Sequence, residues 1–156
     1  MPDIQLDRAD RAILHELQQN GRISNVNLAQ RVNLSESACL RRVRALEETG
    51  VIDRYAALIN QSTAGLPDNV FVEVSLRQEQ QEHLDAFENA VREVPEVMEC
   101  YLMSGEYDYL LRVAVANTTD YERIHREFIT RLPGVARVRS SFALRTVTKK
   151  TELPIK

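Results

Sequence analysis

Residues 24–50 read SNVNLAQRVNLSESACLRRVRALEETG, a stretch whose caps and spacing predict two short helices joined by a tight turn. Ser24 is a good N-cap for the first helix, and Asn33 stands where a left-handed residue would end it. Only one residue then precedes Ser35, the N-cap candidate of the second helix, which Gly50 ends. The apolar residues of the second helix recur at helical spacing: Cys39, Val43 and Leu46.

A longer helix is predicted upstream of this pair. Asp7 is its N-cap candidate, and Asn20-Gly21 provides a C-terminal stop. Its apolar stripe consists of Ile13, Leu14 and Leu17. Three helices in this order match the layout of a helix-turn-helix domain, and Val51 to Asn60 is predicted to follow as an extended segment.

Residues 61–69 separate two halves that have different hydrophobic periods. They concentrate small and turn-forming residue types and are predicted to be a linker. After them, the pattern predicts strand, helix, strand, strand, helix and strand. The predicted strands are Val70–Leu76, Val97–Met103, Tyr109–Val115 and a last one from Val135 to about Thr148.

The second half also repeats itself. Val94–Val97 and Leu132–Val135 place a proline at equivalent points, 38 residues apart, each after a helical stripe. The second of these stripes is Tyr121, Ile124, Phe128 and Leu132. This internal βαβ duplication predicts a ferredoxin-like β-α-β-β-α-β arrangement for residues 70–156, so the whole chain is assigned to the α+β class.

The composition is that of a soluble globular protein. Of the 156 residues, 28% are charged, and no apolar run is long enough for a membrane span or a secretory signal, so a cytoplasmic location is predicted. Cys39 and Cys100 lie in segments that look like core, which indicates no disulfide. The net charge of −3 argues against nucleic-acid binding. However, residues 1–60 hold 8 basic and 8 acidic side chains, so the excess acid lies entirely in the second half.

The helix after Ser35 presents basic side chains away from its apolar stripe. Ser37, Arg41 and Arg44 project opposite to the stripe, with Arg42 on its flank. Arginine pairs with guanine or phosphate, which favours a DNA contact, although the alternative is a merely solvated face. Glu36 is open to two interpretations, as an acceptor from a cytosine amino group or as a favourable charge at the helix N-terminus.

A second candidate site lies between predicted strands two and three, at Met103 to Tyr109. Asp108 can accept from an ammonium group, Ser104 and free amides can receive a carboxylate, and Gly105 can admit a ligand close to the backbone. Those are the needs of a free amino acid. The alternative is a plain hairpin whose glycine serves the turn and whose tyrosines pack on the sheet.

Catalysis and metal binding have little support in the sequence. The histidines, His15, His83 and His125, have no ligand-like spacing, and no nucleophile elbow, phosphate loop or dinucleotide fingerprint is present. No enzyme activity, cofactor or metal site is therefore predicted.

Several motifs together resemble the leucine-responsive regulatory protein/AsnC family, the feast/famine transcription regulators. They are Leu6-Asp7-x-x-Asp10-x-x-Ile13-Leu14, Gly21-Arg22-Ile23-Ser24, Leu34-Ser35-x-Ser37-x-Cys39-Leu40-x-Arg42-Val43-x-x-Leu46-Glu47-x-x-Gly50-Val51-Ile52, and Ser104-Gly105-x-x-Asp108-Tyr109. Many relatives carry proline at the positions of Glu36 and Ala38, so the DNA sequence read by this chain is not transferable from them.

The resemblance implies a winged helix-turn-helix domain with a hinge strand over residues 1–60, and a ferredoxin-like domain over 70–156 that dimerises and senses amino acids. It also implies further assembly of dimers into tetramers or octamers, with effector bound between dimers. The DNA-binding candidates are Ser35, Ser37, Arg41, Arg42 and Arg44. The effector-binding candidates are Met103, Ser104, Gly105, Tyr107, Asp108 and Tyr109.

The predicted function is thus a sequence-specific DNA-binding transcriptional regulator whose DNA binding or oligomeric state responds to an amino acid. Two alternatives remain open: an architectural protein that wraps DNA without an effector, and a small ferredoxin-like enzyme fused to a helical adaptor. Because a module of 60 residues without net charge binds DNA weakly alone, useful affinity requires several modules presented together.

Overall fold

In the computed structural model, which describes residues 5–155, the chain forms two compact units. The helical unit comprises the chain up to Leu58 together with the segment from Val147 onward, and the sheet unit is Ile59–Thr146. The C-terminal residues therefore do not group with the sheet, unlike in the predicted domain 70–156. The reason is local packing, because Ile155 lies against the core of the helical unit.

Three helices build the helical unit, and each begins at its predicted cap. They are α1 (Arg8–Gln19), α2 (Asn25–Arg31) and α3 (Glu36–Glu48). The side chains of Asp7, Ser24 and Ser35 accept a backbone N–H from the first turn of their helices. Asn33, at φ 55°, makes the left-handed turn between α2 and α3. The core residues are Ile13, Leu14, Leu28, Ala29, Cys39 and Leu46.

Residues 53–60, after α3, have no strand assignment in the described part of the chain. Residues 53–60 have no ladder partner among the described residues and leave Leu58 and Ile59 about three-quarters exposed. Tyr55 anchors the segment, because its hydroxyl donates to the Glu47 carboxylate at 2.9 Å. Burial and that carboxylate raise the pKa of Tyr55 to about 12.

The sheet unit has the predicted ferredoxin-like order of elements. They are β1 (Asp68–Leu76), α4 (Gln81–Arg92), β2 (Val97–Leu102), β3 (Tyr109–Val115), α5 (Thr118–Glu127) and β4 (Val135–Phe142). The strands pair antiparallel in the order β2-β3-β1-β4. Val97 and Val135 open β2 and β4, which confirms the equivalence of the two repeats.

Three predicted boundaries were wrong. β1 begins at Asp68, inside the predicted linker of residues 61–69, of which only 61–65 form turns. β4 ends at Phe142 and not near Thr148, because Phe142 pairs with Val70 and β1 offers almost no partner beyond it. The second helical stripe is broken, since α5 ends at Glu127 and a 3-10 turn, Ile129–Arg131, follows.

Both helices of the sheet unit cover the same face of the sheet. Alternate strand residues pack with Phe87, Val91 and Ile124 into one buried cluster. The other face has no helix over it and exposes Phe71 and Tyr101, which are 40% and 52% accessible. An apolar side chain left exposed on a sheet face is a candidate contact for a partner. No helix in the described part of the chain is long and apolar enough to cross a membrane.

Candidate DNA-binding and effector-binding sites

Side-chain contacts between helices place the N-termini of α2 and α3 next to each other. The Asn25 amide donates to the Glu36 carbonyl at 2.9 Å, which joins the first turns of the two helices. Arg31 at the end of α2 contacts Glu16 of α1 at 2.8 Å. The sequence analysis missed Asn25, because this bond depends on tertiary geometry. The arrangement presents two helix N-termini, which attract phosphate, on one side of the unit.

Ser37, Arg41 and Arg44 are exposed on α3, as predicted. Neither arginine forms a salt bridge or hydrogen bond with another described residue, so both guanidinium groups retain all their donors. Ser35 has a different task, since its hydroxyl caps α3 and lies 3.4 Å from the Ser37 hydroxyl. This face of α3 can therefore donate to base edges and phosphate oxygens.

Arg42 is engaged inside the helical unit, in contrast to the prediction that it contacts phosphate. Its guanidinium lies 2.7 Å from carboxylate oxygens of both Asp7 and Asp10 at the start of α1. The Asp10 N–H, followed by Arg42, lowers the pKa of the Asp7 carboxyl. Arg42 is thus neutralised by two carboxylates, and it positions α3 against α1. The sequence did indicate this engagement, because Arg42 follows the buried Cys39 by one turn and lies beside the apolar stripe.

The loop between β2 and β3 is closed at its ends and open at its tip. The Met103 N–H donates to the Asp108 carbonyl at 2.8 Å, whereas Met103, Ser104, Gly105 and Glu106 are all exposed. The N–H groups of residues 104–107 have no acceptor among the described residues. A Cβ at Gly105 would meet no atom within 4 Å. The tip can therefore receive an anionic group from outside the sheet unit.

Asp108 serves the fold and retains capacity for a ligand. Its Oδ2 accepts the N–H of Leu76 at 2.6 Å, and its own N–H donates to the Val74 carbonyl. This carboxylate therefore completes the end of β1, a role that the sequence did not reveal. Its Oδ1 has no partner within residues 5–155, so it can still accept from an ammonium group.

Tyr109, which the sequence analysis named as an effector-binding candidate, is buried in the core of the sheet unit. It is 1% exposed, its ring lies 4.4 Å from that of Phe87, and its hydroxyl donates to Glu88 at 2.9 Å. Burial, and then Glu88, raise the pKa of Tyr109. Tyr109 alternates with Leu111 and Val113 along β3, and this alternation indicates that its side chain faces the core. Tyr107, by contrast, is half-buried in the loop.

Comparison with known families assigns both halves of the chain. The Lrp/AsnC ligand binding domain matches residues 69–153, and a winged helix-turn-helix DNA-binding domain matches residues 6–53. The chain belongs to the Lrp/AsnC family. This Lrp/AsnC chain is 43% identical over 155 residues to the leucine-responsive regulatory proteins of Klebsiella pneumoniae and Escherichia coli, covering 99% of itself and 94% of each relative.

Solved structures of Lrp/AsnC proteins have the same architecture. A Neisseria meningitidis transcriptional regulator in complex with L-methionine superposes with a TM-score of 0.91 at 37% identity, over 96% of this chain and 97% of that one. An AsnC family regulator from Agrobacterium tumefaciens gives the same TM-score and coverage at 38% identity. The chain is therefore a DNA-binding transcriptional regulator of the Lrp/AsnC family with a small-molecule-binding domain.

Proposed function

We propose that this regulator reads DNA with the exposed face of α3 and that an amino acid bound at the loop between β2 and β3 changes its DNA binding or assembly. Arg41 and Arg44 supply base contacts, and Ser37 supports them at the helix N-terminus. Arg42 is left out because Asp7 and Asp10 already hold it. The observation that carries this proposal is that the guanidinium groups of Arg41 and Arg44 have no partner within residues 5–155.

The loop offers both halves of a site for a zwitterion. Unbonded backbone amides at residues 104–107 suit a carboxylate, and the spare Asp108 oxygen suits an ammonium group. Met103, Ser104 and Gly105 line the exposed side, with Tyr107 beside them. The Neisseria relative binds L-methionine, which supports an amino acid as the class of ligand. The response is regulatory and involves no catalysis.

A second copy of the chain completes this site in our proposal. The loop tip is exposed in one chain, whereas a ligand site normally encloses most of its ligand. Phe71 and Tyr101 on the helix-free face of the sheet provide the apolar contact for a homodimer. Dimers then associate into tetramers or octamers, which present several copies of α3 to one DNA duplex in the cytoplasm.

Titration of operator DNA at fixed salt tests the role of α3. Arg41→Ala or Arg44→Ala should cost about 1–3 kcal/mol on the preferred site and much less on unrelated DNA, because a lost base contact is sequence-specific. Arg131→Ala removes another exposed arginine, in the sheet unit, and serves as control. Binding of both α3 variants as tight as that of the parent would contradict the proposal. Footprints without discrete phased sites would instead support an architectural wrapping protein.

A further inference from the structure

The C-terminal segment, residues 147–155, is held on α1 by a two-way hydrogen bond. The Gln18 amide donates to the Leu153 carbonyl at 3.2 Å and accepts the Leu153 N–H at 2.6 Å. Ile155 then packs against the core of the helical unit. Two hydrogen bonds between the Gln18 side chain and the Leu153 backbone, together with the half-buried Ile155, hold this segment on the unit that carries α3.

This docking changes the charge of the DNA-binding unit. Residues 1–58 hold 8 basic and 8 acidic side chains, and residues 147–156 add three lysines and one glutamate. The helical unit therefore has a net charge of +2, and the sheet unit, residues 59–146, has a net charge of −5. The acidic character of the whole chain thus conceals a basic DNA-binding unit.

The basic segment borders the residues that connect α1 to α2. Thr151, next to Lys150, lines one groove with Arg22 and Arg54. Arg22 comes two residues before Ser24, the cap of α2, and the first turn of α2 is bonded to that of α3. Contacts within one unit therefore connect the lysine pair to the side from which α3 would meet DNA.

The cations of this region are available for a partner. Lys149, Lys150 and Arg22 are exposed and form no salt bridge with the described residues. Arg54 forms an ion pair with Asp53 at 3.7 Å, and both of those side chains are at least 80% exposed, so water screens the pair.

We propose that Lys149 and Lys150, together with Arg22, bind the phosphate backbone of DNA beside the site that α3 reads. The inference rests on the proposed function, since it needs α3 on the same duplex. Lysine ammonium groups act as point charges toward phosphate and carry no base information. These contacts add affinity on any sequence and leave the choice of operator to Arg41 and Arg44.

The test is the double variant Lys149→Gln/Lys150→Gln in the full-length protein. Its dissociation constants for an operator duplex and for an unrelated duplex are measured over a series of salt concentrations. Each lost phosphate contact should reduce the log–log salt slope by about 0.9, so the pair should reduce it by nearly 2, on both duplexes alike. Lys149→Arg/Lys150→Arg should retain the parent slope, because it keeps both charges.

A matched control is Arg126→Gln/Arg131→Gln, which removes two exposed charges from the sheet unit and should leave the slope unchanged. Melting temperature and oligomeric mass are recorded for every variant, so a change in assembly is recognised as such. A parent-like slope in the lysine-to-glutamine variant, with normal operator binding by the parent, overturns this inference and leaves the proposed function standing. Failure of the parent to bind operator DNA overturns both.

Discussion

Arg42 on α3 and Asp10 on α1 are joined by a contact of 2.7 Å, and the same guanidinium nitrogen reaches Asp7 at the helix cap. The side chain of Asp10 is 17% exposed and that of Arg42 is 27% exposed, so water screens this pair less than a surface pair. One arginine thereby links α3 to the start of α1. Arg41 and Arg44, on either side of it along the chain, remain available for DNA.

Arg42→Ala is expected to weaken the fold more than the DNA contacts. It leaves Asp7 and Asp10 without their cation, so the melting temperature should fall by roughly 2–5 °C. The salt slope of DNA binding should stay at the parent value, because no phosphate contact is lost. Calorimetric melting measures the effect on the fold, and a salt series measures the effect on DNA binding. Arg44→Ala is the opposite control, because it should weaken DNA binding and leave the melting temperature unchanged. A reduced slope in Arg42→Ala with an unchanged melting temperature would show that Arg42 contacts DNA.

Acid should destabilise the helical unit partly through Asp7. Its pKa is lowered in the folded state, so its contribution to stability is present above the unfolded pKa of about 3.8 and is lost as pH falls through the lower folded value. Asp7→Asn retains a good N-cap but cannot titrate. The variant should therefore lose less stability than the parent between about pH 5 and pH 2 in urea melts at each pH. If the variant and the parent lose the same free energy of unfolding over this range, Asp7 is not a source of the acid sensitivity.

Asp108→Asn and Asp108→Ala should separate the structural role of this residue from its ligand role. The asparagine oxygen can still accept the Leu76 N–H, so its melting temperature should stay close to that of the parent. Both variants lack the charge proposed to bind an ammonium group, so amino-acid affinity should fall about 10- to 100-fold. Isothermal titration with the best-binding amino acid measures the loss. Parent-like affinity in the asparagine variant would remove Asp108 from the site.

Tyr109→Phe is expected to reduce stability without changing the amino-acid response. The variant loses the hydrogen bond to Glu88, which costs roughly 1 kcal/mol, while the ring still packs on Phe87. Tyr107→Phe is the control for stability alone, because the Tyr107 hydroxyl has no partner among the described residues. Urea unfolding gives the stability and calorimetric titration gives the affinity. A weaker amino-acid response in Tyr109→Phe at unchanged stability would return Tyr109 to the effector site.

Phe71→Glu should disrupt the proposed homodimer. Within one sheet the new carboxylate would lie opposite Arg112 and is tolerated, but at an interface it would be desolvated at high cost. Sedimentation velocity should show smaller species, and operator affinity should fall by at least tenfold as multivalency is lost. Phe71→Leu keeps the apolar contact and should behave like the parent. An unchanged sedimentation profile for the glutamate variant would place the interface elsewhere.

Local signals predicted most of the fold. The caps at Asp7, Ser24 and Ser35 were predicted because a helix start depends on neighbouring residues. The strands were predicted because their apolar residues alternate, but β4 was overextended, since its end depends on where β1 stops. Where a strand ends depends on the strand that it pairs with, so the end cannot be deduced from the sequence of one segment.

The site residues also divide into those that local sequence predicted and those that depend on distant contacts. Exposure of Ser37, Arg41 and Arg44 follows from helical geometry and was predicted. Arg42 bonds to Asp7 and Asp10, which lie more than 30 positions away in the sequence. Gln18 bonds to Leu153, which lies 135 positions away. No periodicity encodes such pairings. They decide which cations are available, so the charge of the DNA-binding unit was only visible in three dimensions.

The return of residues 147–155 to α1 makes the sheet unit an insertion within the helical unit. The chain passes between the two units twice, near Leu58 and near Val147. A protease that cuts the turn at Gly65 would therefore produce two fragments that stay associated through Gln18 and Ile155. Conversely, a fragment that ends at residue 60 would be an incomplete DNA-binding domain, because it would lack the three lysines of residues 147–156 and the Ile155 side chain that packs against its core.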